Sequence, residues 1–217
     1  VVHFTLELNE AYVGLRYDSI FTGISNQNLK YHQEKVVTVL KQIEDTDSGV
    51  LTIKYFPTKS ASVHTLNTHL QKMISLGEDI DLVVVDYADI LKDTGYTKEV
   101  RHALGNIYED LRGLAGELEV PVWTASQANR SALEEDVIEA GKIAESYQKI
   151  MTADFVMSLS RKMGDKAADT GRFHIIKNRF GPDGMTFPSK INTDIGLIEI
   201  YESNTKPGQE QQKKIDS

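Results

Sequence analysis

Residues 80–87, Ile-Asp-Leu-Val-Val-Val-Asp-Tyr, form an apolar run that ends in a carboxylate. A strand apolar at successive positions has no solvent face, and such strands belong to parallel sheets covered on both sides. Parallel neighbours in turn require crossovers of a dozen or more residues, usually helices. The rest of the chain supplies that alternation. The opening Val-Val-His-Phe-Thr-Leu-Glu-Leu (1–8) is β-rich, starts without a cap, a turn or a Met, and reads as a strand caught in mid-fold. Asn9 can cap a helix carrying Val13, Arg16, Tyr17 and Ile20 that stops near Gly23. A second helical pattern runs over 28–44, with Val36, Val39, Leu40 and Ile43 on one face. A strand follows at 50–56, then a helix with Val63, Leu66, Leu70, Met73 and Ile74 on one stripe, ending at Gly77.

Beyond the 80–87 run, residues 98–118 give the clearest helix, with Val100, Ala103, Leu104, Ile107, Leu111, Leu114, Ala115 and Leu118 at three- and four-residue steps. A buried strand at 120–126 comes next, with Trp123 inside it as a core residue. A polar stretch to about 152 reads as a surface loop with a short helix. Strands at 155–160 and 172–177 precede a hairpin, 185–192 with 197–201. Helix–strand alternation followed by strands alone predicts an α/β fold: an open, mostly parallel sheet flanked by helices, with C-terminal antiparallel strands. We expect one domain over 1–201 and a disordered polar tail over 202–217.

Composition excludes several classes. The 217 residues carry 24 Lys+Arg against 32 Asp+Glu, a net charge of −8, which argues against wholesale coating of nucleic acid but leaves local basic loops open. The chain has no Cys, so disulfide frameworks, thiolate zinc sites and cysteine nucleophiles are absent, and a reducing compartment fits. No apolar run approaches the roughly 18 residues of a membrane span, and the start does not read as a signal peptide. The six His show no metal-ligand spacing, and no Gly-x-Ser-x-Gly elbow supports a serine hydrolase.

Sites in open parallel sheets form beyond the carboxyl ends of strands. Three apolar strands end in polar groups that could line one crevice: Glu7, Asp86 and the pair Ser126-Gln127. A carboxylate after Val-Val-Val is the arrangement that holds Mg²⁺ beside a nucleotide phosphate; a strand-end Asp that merely caps the next turn has the same local sequence. Lys177 and Arg179 alternate with Asn178 and so project from one face of a strand end, where a triphosphate would relieve their repulsion. Charges that protect an edge strand from aggregation would look alike. The mixed charge of 129–152 does not mark it as a nucleic-acid patch. No Gly-x-x-x-x-Gly-Lys-Ser/Thr occurs anywhere, so the chain has no phosphate-cradling loop.

At these residues the chain resembles the RecA-like ATPase domain of the hexameric replicative DNA helicases, the DnaB-like family of bacteria and phages. Five blocks match in order. Phe-Thr-Leu-Glu-Leu-Asn (4–9) resembles the family's Ser-Leu-Glu-Met segment, and Val-Val-Val-Asp-Tyr (83–87) its Walker B strand. Val-Pro-Val-Trp-Thr-Ala-Ser-Gln-Ala-Asn-Arg-Ser (120–131) is similar to the Val-Pro-Val…Ser-Gln-x-Asn-Arg motif. Ile-Ala-Glu-Ser (143–146) with Thr-Ala-Asp-Phe-Val-Met (152–157) resembles the block around the DNA-binding loop. Ile-Ile-Lys-Asn-Arg-Phe-Gly-Pro-Asp-Gly (175–184) resembles the Lys-x-Arg-x-Gly-Pro-x-Gly strand.

The resemblance implies ATP and Mg²⁺ as cofactors and assigns roles. Glu7 would be the general base and Asp86 the metal carboxylate. Ser126 would lie at the nucleotide, with Gln127 as γ-phosphate sensor. Lys177 and Arg179 would reach a neighbouring subunit's ATP, and Arg130, Lys142, Glu145 and Ser146 would lie at single-stranded DNA. Ala144 stands where the family has Arg before Glu-Ser, a lost DNA contact for which Lys142 or Lys149 could compensate. The resemblance also implies a homo-oligomeric, hexameric ring, a primase or helicase loader as partner, no membrane, and the cytoplasm (the host's, if phage-encoded). The family's first strand, P-loop and following helix would precede residue 1, so we expect an N-terminally incomplete domain, inactive toward ATP alone. Two other readings stay open: a related RecA-like recombinase or clock-type ATPase, and a noncatalytic RecA-like assembly or DNA-binding module without a P-loop. The coding sequence upstream of Val1 discriminates the last of these.

Overall fold

The computed structural model describes residues 1–46, 49–95, 100–128, 135–142 and 147–216. They fall into two compact units, Val1–Ser126 and Gln127–Ser217, where the strand pattern alone reads as one domain. The first unit holds β1 (Val2–Thr5), α1 (Glu10–Thr22), α2 (Gln33–Glu44), β2 (Thr52–Tyr55), α3 (Val63–Ser75), β3 (Val83–Asp86), α4 (Val100–Leu118) and β4 (Val122–Thr124). Its four strands are all parallel, in the order β2-β1-β3-β4. The register pairs Val2 with Val83 and Phe4 with Val85, so these four side chains share one face, and all are buried. Leu66 and Leu70 of α3 and Leu104, Ile107, Leu111 and Leu114 of α4 complete that core, which is why both helices show an apolar stripe in the sequence.

Local signals set the helix ends. The Asn9 side chain accepts from the Tyr12 N–H at 3.0 Å, and Gly23 ends α1 at φ 66° with its N–H on the Ser19 carbonyl. Ser62 and Thr65 form a reciprocal capping box at α3. Two details correct the sequence reading. Residues 29–31 form a separate 3₁₀ turn, so α2 starts later than its periodicity suggests. Trp123 is 50% exposed rather than core, because β4 is the edge of this sheet and its outer side has no neighbouring strand in the unit.

The second unit is an antiparallel sheet, β5 (Phe155–Ser160), β6 (Thr170–Asn178), β7 (Thr186–Asn192) and β8 (Leu197–Ile200), in sequential order. Short helices α5 (Tyr147–Thr152) and α6 (Met163–Ala167) precede and follow β5. The tail is not disordered: α7 (Lys206–Asp216) packs on β7. Thr205 accepts from the Gly208 N–H at 3.2 Å as its N-cap, and buried Gln211 donates to the Ser189 carbonyl at 3.0 Å. A polar composition concealed this helix because its anchor is an amide hydrogen bond and a buried glycine rather than an apolar stripe. None of the described helices is long and apolar enough to cross a membrane.

Candidate functional site

The parallel register aligns the carboxyl ends of three adjacent strands. Thr5 lies beside Asp86, and Val85 beside Thr124, so β1, β3 and β4 end along one edge of the sheet. Beyond β1 the Leu6 N–H donates to the Asp86 carbonyl at 2.9 Å, and buried Leu6 anchors the turn beneath exposed Glu7. The Leu6 carbonyl accepts from the Thr58 hydroxyl at 3.0 Å, and the Thr5 hydroxyl donates to the Leu8 carbonyl at 2.6 Å. Glu7 therefore projects from backbone fixed on both sides. Its carboxylate and that of half-buried Asp86 have no hydrogen-bond or ion-pair partner among the described residues.

Asp86 shares its sheet face with His3 and Thr5. The buried His3 Nδ1 meets the Tyr17 hydroxyl of α1 at 2.9 Å, and its Nε2 has no partner among the described residues. Burial holds the His3 pKa below the ordinary histidine value, while nearby Asp86 works the other way. Burial, and then Asp86, push the Tyr17 phenol up. Both groups are thus favoured neutral, and they back the Asp86 strand without competing for its carboxylate.

Thr124 ties β3 to β4: its hydroxyl donates to the Val85 carbonyl at 2.8 Å and accepts from the Ala88 N–H at 2.9 Å. Asp89, in the 3₁₀ turn Ala88–Ile90, accepts from the Tyr108 hydroxyl at 2.8 Å and from the Ser126 hydroxyl at 3.0 Å. Burial is the largest cause raising the Tyr108 pKa, followed by the Asp89 charge and hydrogen bond. Sequence reasoning passed over Asp89; an acid three residues beyond Asp86 within an otherwise apolar segment was the available signal. Ser126 and Gln127 are both exposed. Two shallow clefts of this unit, one of them lined by Val63, Asn67, Asp110 and Glu117, lie away from these strand-end groups.

In the second unit, Lys177 and Arg179 are both engaged within the chain. The Lys177 ammonium donates to the Ile150 and Met151 carbonyls at 2.9 and 2.8 Å, at the C-terminal end of α5. Arg179 pairs with Asp154 at 2.5 Å, and its N–H donates to the Asp154 carbonyl. Both cations thus dock on residues 150–154. Residues 135–142 are fastened to β5, with Ser158 donating to the Ile138 carbonyl and Ser160 to the Asp136 carbonyl. The Asp136 side chain meets Lys162 at 2.7 Å and Arg172 at 3.3 Å. Lys142 closes the 3₁₀ turn Ala140–Lys142. Arg130, Glu145 and Ser146 lie outside the described residues.

Comparison with known proteins agrees with this architecture. The chain is 27% identical over 190 residues to the DnaB-like replicative helicase of Enterobacteria phage T4, covering 83% of this chain and 40% of that protein. It is 31% identical over 117 residues to the replicative DNA helicase DnaB of Pasteurella multocida (strain Pm70), covering 48% of this chain and 24% of that protein. The chain thus spans less than half of either relative. Among solved structures, an isolated ATPase domain superposes with a TM-score of 0.77 at 20% identity, over 93% of this chain and 75% of that one. A DnaB-like replicative helicase, solved in a study of its interactions with primase, gives 0.76 at 20% identity, over 93% and 52%. These neighbours identify the fold as RecA-like. The family model of the DnaB-like helicase C-terminal domain matches residues 1–191, and the chain belongs to that family.

Proposed function

We propose that this chain is the motor domain of a replicative DNA helicase that couples ATP hydrolysis to travel along single-stranded DNA. It works within a longer protein that supplies the phosphate-cradling loop and assembles into a homo-oligomeric ring of six. The observation that carries this reading is the register that brings the ends of β1, β3 and β4 to one sheet edge, with Asp86 at the end of β3 and Glu7 two residues beyond the end of neighbouring β1, both carboxylates without a partner among the described residues. Among the described residues no group of three acidic or His side chains could hold a metal by itself. A single strand-end carboxylate suits Mg²⁺, which keeps several waters and takes other ligands from substrate phosphates. When bound there with ATP, Mg²⁺ neutralises charge developing on the phosphoryl oxygens.

Glu7 accepts the proton of the attacking water, Asp86 holds the metal, and Gln127, reached from the Ser126 end of β4, reports the γ-phosphate. Lys177 and Arg179 serve a neighbouring subunit's ATP, where cations stabilise the transferring charge. To do so they must leave the Ile150 and Met151 carbonyls and Asp154, so arrival of that ATP releases the end of α5. Arg130, Lys142, Glu145 and Ser146 contact DNA in a ring channel, where local rather than net positive charge suffices. Primase or a helicase loader is the proposed partner, and the cell interior the proposed location. The 217-residue polypeptide by itself is inert toward ATP, since its sequence holds no phosphate-binding loop.

The test is Glu7→Gln in the full-length protein. Gln keeps shape but cannot take a proton, so turnover should fall by at least about a hundredfold while nucleotide binding and ring assembly persist. A variant that retains most of its ATPase rate would remove Glu7 from the mechanism.

A further inference from the structure

We infer that Ser158 and Ser160 of β5 are positioning residues, which hold the segment leading to Lys142 in place for single-stranded DNA. The inference rests on the functional reading of Lys142 given above, and it lies wholly within the second unit. Side chains of β5 alternate between the two faces, so Ser158 and Ser160 share one of them with Val156. The Ser158 hydroxyl donates to the Ile138 carbonyl at 2.8 Å, and the Ser160 hydroxyl to the Asp136 carbonyl at 2.6 Å. The spacing matches, two residues against two in opposite directions, so residues 136–138 run antiparallel along β5. Ser160 is buried, and a buried hydroxyl is costly to leave without such a partner. The Asp136 side chain closes the same latch, against Lys162 at the start of α6 and Arg172 of β6. Three elements of the unit thus grip one short segment.

The turn Ala140–Lys142 begins two residues after Ile138 and packs beside α5, whose C-terminal end takes the Lys177 ammonium. It therefore lies between a segment fixed on β5 and a helix whose end is released when Lys177 turns to ATP. A loop whose stem is already held loses less conformational freedom when it binds, so the latch favours DNA binding. Glu135 and several residues of α5 make further interactions, so loss of the two hydroxyl contacts weakens DNA binding without abolishing it. The measured dissociation constant rises in inverse proportion to the fraction of molecules that keep the segment latched.

The experiment measures binding of a labelled oligothymidylate to the full-length protein, by fluorescence anisotropy with a nonhydrolysable ATP analogue present. Two double variants differ at one group. Ser158→Val/Ser160→Ala has neither hydroxyl, and Ser158→Thr/Ser160→Ala keeps one in a β-branched side chain of the same shape. The first should bind DNA about fivefold or more weakly and the second about twofold, with DNA-free ATPase changed by less than about twofold in both. Amide exchange over 135–142 should rise in the first variant and less in the second, with 1–126 unchanged. Equal DNA affinity in the two variants, or wild-type affinity in the first whatever its exchange, would overturn the positioning role while leaving Lys142 at the DNA. Loss of DNA-free ATPase in both alike would mark the serines as structural only and would overturn it too. Wild-type DNA affinity of Lys142→Ala would instead remove the DNA reading of this segment, and the latch's role with it.

Discussion

Asp165 shows how a single charged side chain is made tolerable in the second unit. It is buried, yet its carboxylate accepts from the Lys162 N–H at 2.7 Å, the Thr170 hydroxyl at 3.0 Å and the Arg172 guanidinium at 2.7 Å. Burial pushes its pKa up, but the hydrogen bonds from Lys162, Arg172 and Thr170, with the Arg172 charge, together hold it below the usual Asp value. A carboxyl depressed in the folded state contributes stability above the unfolded value, about 3.9, and loses it as pH falls through the lower folded pKa. The native protein should therefore keep this contribution down to about pH 4. Arg172→Met removes the partner of a buried charge, at about 3–5 kcal/mol, and the Asp165 pKa rises because only the Lys162 and Thr170 hydrogen bonds then oppose burial. Denaturant titrations across pH should show lower stability near neutrality and an acid limb displaced to higher pH. An unchanged limb would mean that Arg172 is not what holds Asp165 ionised.

At the level of elements, α7 is held by a close backbone approach together with the Gln211 amide. A Cβ at Gly208 would collide with the Glu202 carbonyl, and a backbone atom cannot step aside as a flexible side chain can. Gly208→Ala should thus loosen α7 from β7, seen as faster amide exchange over 206–216 with the exchange of β1–β3 unchanged. Uniform protection in the variant would show that the helix can shift without cost. This element was illegible in the sequence because its anchors are a glycine and the Gln211 amide, neither of which has a periodic signature. By contrast β3 and α4 were plain, since burial on both faces and a 3.6-residue stripe leave direct marks on residue choice. Of the candidate site, Glu7 and Asp86 stand out in the sequence because each follows an apolar run. Asp89 and His3 do not, because their significance depends on which strand lies beside which. Trp123 misled for a related reason: an edge strand and a central one look alike until the order is known.

For the molecule as a whole, Arg179 is the group that separates a ring motor from an ATPase that acts alone. Within the chain it pairs with Asp154, a solvent-facing ion pair that alone contributes about 0–1 kcal/mol. Such a weak hold suits a group meant to leave it. If Arg179 acts on the neighbouring subunit's ATP, an Arg179→Ala subunit keeps an intact Glu7 but fails its neighbour, while a Glu7→Gln subunit does the opposite. Mixed under exchange conditions, the two should form some interfaces with Arg179 from one subunit and Glu7 from the other, and so recover ATPase activity that neither shows alone. With equal amounts and random mixing, about a quarter of the interfaces carry both groups, which bounds the recovered rate near a quarter of wild type if sites act independently. Arg179→Lys should rescue only in part, because an ammonium cannot meet two phosphate oxygens with one planar fork. The readout is ATPase rate against mixing ratio, with mixed rings verified by native mass spectrometry. A flat baseline despite mixed rings would assign Arg179 to its Asp154 pairing within the chain, and the ring-motor reading would then lose its trans-acting cation.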